Sequence, residues 1–164
     1  MALEDGDPDL RITGLRIARE LKLDVVPCVK MLARDASAQV RREAAIALRH
    51  NPSPEAPSLW AQLAIQHDGK DRWYLEALGI GADNQWDKFF DFWLAEAGDK
   101  WNTPAGRDIV WRSRSRKTPA MLVKLINDKG LSLKERDRYF RSLDFINGPE
   151  KDAAVAELAL SGLK

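Results

Sequence analysis

Cysteine is almost absent from this chain of 164 residues, which holds one, Cys28. A single thiol excludes an intrachain disulfide and every Cys-x-x-Cys redox, zinc or haem-attachment motif. Cys28 lies in Val25-Val-Pro-Cys28-Val-Lys-Met31-Leu32, and such neighbours predict a buried small hydrophobe. Histidine is equally scarce. His50 and His67 are the only two, each in or beside a predicted interhelix turn with no second ligand at i+3 or i+4, so neither suggests a metal site. No apolar run approaches the roughly 20 residues of a membrane span. The first residues, Met1-Ala-Leu-Glu-Asp-Gly-Asp7, are acidic where a secretory signal is basic and then apolar. No Gly-rich phosphate loop and no nucleophile with a His/Asp relay is present. The carboxylate pairs Asp7/Asp9 and Glu150/Asp152 sit beside helix starts, where they favour the helix dipole, and neither suggests a general acid. The expectation is a chain with no catalytic, cofactor or metal residues.

What is present is helix-forming sequence. Hydrophobic residues make up 45% and charged residues 31%, the balance of a folded chain. Capping residues before proline recur at Asp7-Pro8, Ser53-Pro54, Thr103-Pro104 and Thr118-Pro119, and Ser132-Leu-Lys-Glu135 has the form of a capping box. These signals predict about ten helices, near 8–20, 24–34, 37–49, 54–66, 70–81, 85–97, 103–114, 119–128, 133–145 and 149–161, and no strand. Trp86, Phe89, Phe90, Trp93, Leu94 and Ala97 form one wide apolar face. The helix over 37–49 has little polar surface and is expected between neighbours. Short links such as Asp35-Ala-Ser37 and Asn51-Pro-Ser53 make consecutive helices antiparallel.

An internal repeat organises them. Asp7 to Leu15, Ser37 to Leu48 and Asp68 to Gly79 share an acidic or Ser residue followed by Arg and then small and apolar residues, placing Arg11, Arg41 and Arg72 at nearly constant spacing. A period near 30 residues marks an array of helical hairpins, each buried against its neighbours. Asp7 and Asp68 stand four residues before Arg11 and Arg72, a spacing that predicts local i,i+4 pairs. Arg107 and Arg136 keep the spacing roughly, without the surrounding pattern. The expected fold is all-α, a right-turning α-solenoid in a single domain over 1–164, clearest at 7–82 and divergent at 83–164.

The Asp-x-x-Val-Arg-x-x-Ala pattern, best seen at Ser37 to Leu48, resembles the short HEAT repeats of the armadillo-like class. That resemblance implies that the helices beginning at 8, 37, 70, 103 and 133 line a concave face. More specifically, Asp71 to Gly81, Asp87 to Leu94, Pro104 to Arg112, Lys117 to Ala120, Arg138 to Phe145 and Gly148 to Asp152 resemble the helical-repeat region of bacterial PVC-type haem-binding CxxCH proteins, in which a sorbosone/glucose-dehydrogenase-like propeller precedes the repeats and a c-type haem domain follows. Without a propeller or a Cys-x-x-Cys-His motif in this chain, neither haem attachment nor sugar oxidation carries over. What the resemblance implies is a spacer or docking module, part of a larger extracytoplasmic protein; as a complete protein, the chain would be cytoplasmic.

The functional expectation is therefore a non-catalytic scaffold with protein or neighbouring-domain partners. Its candidate partner-binding residues are Trp73, Tyr74, Trp111, Arg112, Arg114, Arg116 and Lys117. Trp73 and Trp111 add bulk to helices that have another apolar stripe, so the two rings either pack between repeats or protrude as a platform with Tyr74 and Arg112. Residues 107–141 hold eleven Lys and Arg against four acids, densest at Trp111 to Lys117. A patch of that sign suits an acidic protein surface or phosphates. The alternative reading is a HEAT-like nucleic-acid-binding or DNA-glycosylase-type protein, and a third is a pigment-lyase-like repeat protein that binds a tetrapyrrole.

Overall fold

The computed structural model describes residues 2–162, and among them every regular element is helical. Ten α-helices follow in order: α1 Pro8–Glu20, α2 Val26–Leu32, α3 Ala38–Ala47, α4 Ala56–Ala64, α5 Arg72–Gly81, α6 Trp86–Ala97, α7 Pro104–Arg112, α8 Thr118–Asn127, α9 Leu133–Ser142 and α10 Pro149–Ser161. Three short 3-10 turns cover Ala2–Glu4, Gly98–Asn102 and Leu143–Phe145. The chain divides into two compact units, Met1–Ile109 and Val110–Lys164.

Capping chemistry sets the helix starts. Asp7 accepts the Asp9 N–H, Asp71 the Tyr74 N–H and Thr103 the Gly106 N–H. At α9 the capping box is complete, with Ser132 Oγ taking the Glu135 N–H and the Glu135 carboxylate taking the Ser132 N–H. Each bond satisfies a donor that a helix N-terminus would otherwise leave open. Two expected caps fail. Ser53 bonds the Glu55 N–H in a turn and the helix begins only at Ala56, while Thr118 lies inside α8 and gives its hydroxyl to Ser113 Oγ at 2.8 Å.

In the first unit, α1 packs on α3 and α3 on α5, while α2 packs on α4 and α4 on α6. Each of α1 to α4 thus contacts the helix two places along, and α3 also meets α2 and α4. That surrounds it as its small, apolar sequence requires, with Val40, Ala44, Ala45 and Leu48 all buried. Closest approach falls where α5 ends. A Cβ on Gly81 would stand 2.2 Å from the Ala45 carbonyl oxygen, so only glycine allows this helix spacing. Trp86, Phe89, Phe90, Trp93 and Ala97 of α6 are buried, and Trp60 of α4 meets Trp86 edge-on with ring centroids 5.7 Å apart. Cys28 is only half-buried, because α2 is a short helix of seven residues that turns one flank outward.

The turns stack as well. Arg49 binds Asp83, His50 lies 3.3 Å from Asn84 Nδ2, and Gln85 donates to the Asn51 carbonyl. All three pairs join residues 34 apart, so the turn between α3 and α4 and the turn between α5 and α6 correspond residue for residue. His50 and Asn84 share a left-handed backbone, at φ 57° and 59°.

That offset corrects the arginine-based register. Arg11, Arg41, Arg107 and Arg136 are each the fourth residue of their helix, whereas Arg72 is the first of α5 and Leu75 is the fourth. The arginines behave accordingly. Arg11 Nη1 donates to the Gly6 carbonyl, Arg41 Nη1 to Ala36 and Arg107 Nη1 to Asn102, each five residues back, while Arg72 reaches forward to Glu76 at 2.7 Å. The expected i,i+4 pairs are replaced. Arg11 binds Asp35 rather than Asp7, and Asp68 accepts the N–H groups of Lys70 and Asp71 rather than meeting Arg72.

The second unit is smaller. α8 packs on both α9 and α10, and α9 continues into the turn Leu143–Phe145. Leu122, Val123, Leu125, Tyr139, Leu143, Ile146 and Ala154 are buried there. Ser142 Oγ bonds the Trp111 carbonyl at 2.9 Å.

Candidate functional site

Aligning helices by their caps superposes the second, fifth and ninth residues of α1 on the second, fifth, sixth and ninth of α3 and α5, one stripe on each helix. Those stripes line a groove of about 620 Å³. Ile12, Ile46, Ala77 and Ile80 supply its apolar surface, with Asp9, Arg16, Arg42 and Glu76 as charges of both signs. Trp73, second residue of α5, lines the groove with 72% of its surface exposed. The sequence left this ring between burial and protrusion, and it protrudes, because Tyr74, Leu75, Ala77 and Leu78 take the buried positions of the helix.

Glu43 anchors the groove from within. Its carboxylate is 7% exposed and receives Arg16 at 2.9 Å and Arg19 at 2.8 Å. Two arginines of α1 therefore neutralise one buried acid of α3, tying the helices across the stripe. Arg42 lies 3.6 Å from Asp71, the cap of α5, and Arg72 pairs with Glu76.

Tyr74 does not join Trp73 in a platform. It is buried, donates its hydroxyl to the Leu63 carbonyl at 2.9 Å, and lies under the Arg41 guanidinium at 5.5 Å from the ring centre. Burial pushes its phenol pKa up, partly offset by Arg41. His67 stacks on the Tyr74 ring, 6.2 Å between ring centres, and its Nε2 is 3.3 Å from Asp108 Oδ2. No local pattern signals this histidine–carboxylate pair, whose members are 41 residues apart. Both are packed in, and the pair acts as a tether between the turn after α4 and the helix α7.

In the second unit a hollow of about 560 Å³ is lined by Lys134, Asp137, Arg138 and Arg141, the second, fifth, sixth and ninth residues of α9, with Trp111, Glu135 and Phe145. The same helical stripe that faces the first groove faces this one. The Arg138 guanidinium covers Trp111 at 4.4 Å and that of Arg114 covers Phe145 at 5.3 Å. Phe145 is 65% exposed. Of the expected basic residues, Arg114 is committed to local structure, its Nη1 donating to the carbonyls of Trp111, Arg112 and Ser113. Trp111 and Arg112 are half-buried, and Arg116 and Lys117 are exposed. Arg138 and Phe145 were absent from the expected set, although Arg138 follows Lys134 at i+4 and that spacing is visible in the sequence.

Among the described residues no three His, Cys, Asp or Glu side chains converge as metal ligands, and no helix is long and apolar enough to cross a membrane. Compared with protein-family models, curated proteins and solved structures, the chain has no match.

Proposed function

We propose that this chain is a non-catalytic helical-repeat scaffold, an α-solenoid of HEAT-like hairpins, that docks a protein segment in the groove of α1, α3 and α5. Trp73 carries the reading: a large ring held mostly in solvent beside isoleucines is the usual anchor of a protein interface. The mixed charges around it favour a polypeptide over a polyanion or a lipid surface. Contacts between helices two places apart, and turns that pair at a constant offset, support the solenoid. The resemblance to the repeat region of the haem-binding CxxCH proteins supports a spacer between a dehydrogenase-like domain and a c-type haem domain, outside the cytoplasm.

Selection of a random peptide display library on the full chain tests the docking. Peptides that bind saturably and lose at least tenfold in affinity on Trp73→Ala, with unchanged melting temperature, are the expected result. Absence of enrichment, or binding indifferent to Trp73→Ala, refutes it. The reading frame around the coding sequence tests the spacer: a propeller upstream and Cys-x-x-Cys-His downstream are expected.

A further inference from the structure

The two units carry opposite charge. Residues 1–109 contain fourteen Lys and Arg against eighteen Asp and Glu, whereas residues 110–162 contain eleven against seven. Within the second unit three of those positive side chains line the hollow of α9. Lys134, Arg138 and Arg141 fall at i, i+4 and i+7, on one face of the helix. Exposed apolar surface adjoins them, since Phe145 lines the same hollow and is exposed. Cations beside an exposed aromatic side chain match a ligand that alternates negative charge with apolar side chains.

We propose that this face docks an acidic peptide segment whose carboxylates meet Lys134 and Arg141 and whose apolar side chains enter the hollow against Phe145 and the edge of Trp111. The site is independent of the Trp73 groove and shares no residue with it. A volume of about 560 Å³ accommodates a few side chains.

Two features favour a peptide over single-stranded nucleic acid. Bases bind such surfaces by stacking on open aromatic faces. Here a guanidinium already covers a face of Trp111 and a face of Phe145. A phosphate chain also needs an unbroken track of positive charge, and Glu135 and Asp137 interrupt this one. A peptide can place its carboxylates at the cations and its apolar residues beside the two acids. Asp137, paired with Arg141 at 3.2 Å, holds that arginine on the rim.

Fluorescence anisotropy with the full chain tests the site, using three labelled probes: a peptide alternating glutamate with leucine and phenylalanine, the same peptide with lysine in place of glutamate, and a short single-stranded oligothymidine. The acidic peptide is expected to bind at low ionic strength, to weaken as salt rises, and to lose at least tenfold in affinity with Lys134→Glu and Arg141→Glu together. Phe145→Ala should also weaken it, whereas Lys124→Glu, on the exposed flank of α8, should leave it unchanged. If circular dichroism shows that the double charge reversal unfolds the chain, Lys134→Gln with Arg141→Gln replaces it, and at least a threefold loss is expected. Failure of the acidic peptide to bind, equal binding by the folded double variant, or tighter binding of either other probe overturns the proposal; tighter oligothymidine binding would assign the face to nucleic acid.

Discussion

Arg11 and Asp35 are joined by two parallel hydrogen bonds, Nε to Oδ2 at 2.7 Å and Nη2 to Oδ1 at 2.9 Å, a fork that ties the start of α1 to the turn before α3. Burial alone would raise the Asp35 carboxyl, but the bonds from Arg11 and the Ser37 N–H, with the charges of Arg11 and Arg41, outweigh it and hold the pKa below its ordinary value. A carboxyl depressed in the folded state stabilises the fold above its unfolded pKa and stops doing so as pH falls through the folded one. Asp35→Asn should therefore cost about 1 to 2 kcal/mol at pH 7, after allowance for solvent screening. Urea melts of both proteins should show the gap closing as pH drops below about 4.

Removing either side of the Glu43 cluster should have unequal effects. Arg16→Ala with Arg19→Ala strips a buried carboxylate of both arginine partners and should destabilise by about 3 kcal/mol. Glu43→Leu releases two arginines that can hydrate at the surface and fills the space with apolar atoms, so it should cost less than about 1 kcal/mol. Equal losses in denaturant melts would contradict this account.

Glycine at 81 is a steric requirement. Gly81→Ala forces a Cβ against the Ala45 carbonyl, separating α3 from α5 at a cost of about 1 to 3 kcal/mol. Its helix propensity works the other way, in alanine's favour. A melting temperature that rises would show that the backbones are not so close.

Two tryptophans should part company. Trp60 is fully buried and donates its indole N–H to the Leu78 carbonyl at 3.0 Å, so Trp60→Ala should cost about 3 to 5 kcal/mol. Trp73→Ala should change stability by no more than about 0.5 kcal/mol. Thermal melts distinguish the two, and loss of Trp73 should selectively remove red-shifted, easily quenched emission.

Much of the architecture was legible because it is local. A cap bonds within three residues and an amphipathic face recurs every turn, so Asp7, Thr103, Ser132 and the α6 face from Trp86 to Ala97 could be read directly. The candidate sites were legible in part. Trp73 was singled out as bulk that either packs between repeats or protrudes, and only the structure shows it exposed, with Trp111 half-buried; Tyr74 was placed with Trp73 although adjacent residues on a helix point about 100° apart. Arg72 misled because its sequence neighbourhood imitates the repeat while its helix starts three residues later than the spacing of arginines suggests. The caps Ser37 and Asp71, 34 apart, held the correct register.

Helix identity and order, together with the opposite charge of the two halves, were determined by the sequence itself, since they depend on neighbours a few residues away and on composition. Which tryptophan is buried, which arginine holds Asp35 or Glu43, that His67 meets Asp108, and that one stripe of three helices makes a groove were decided only in the tertiary structure. Such contacts join residues 24 to 41 apart, and their geometry depends on how closely the helices approach, a distance set by side-chain volumes such as the missing Cβ of Gly81.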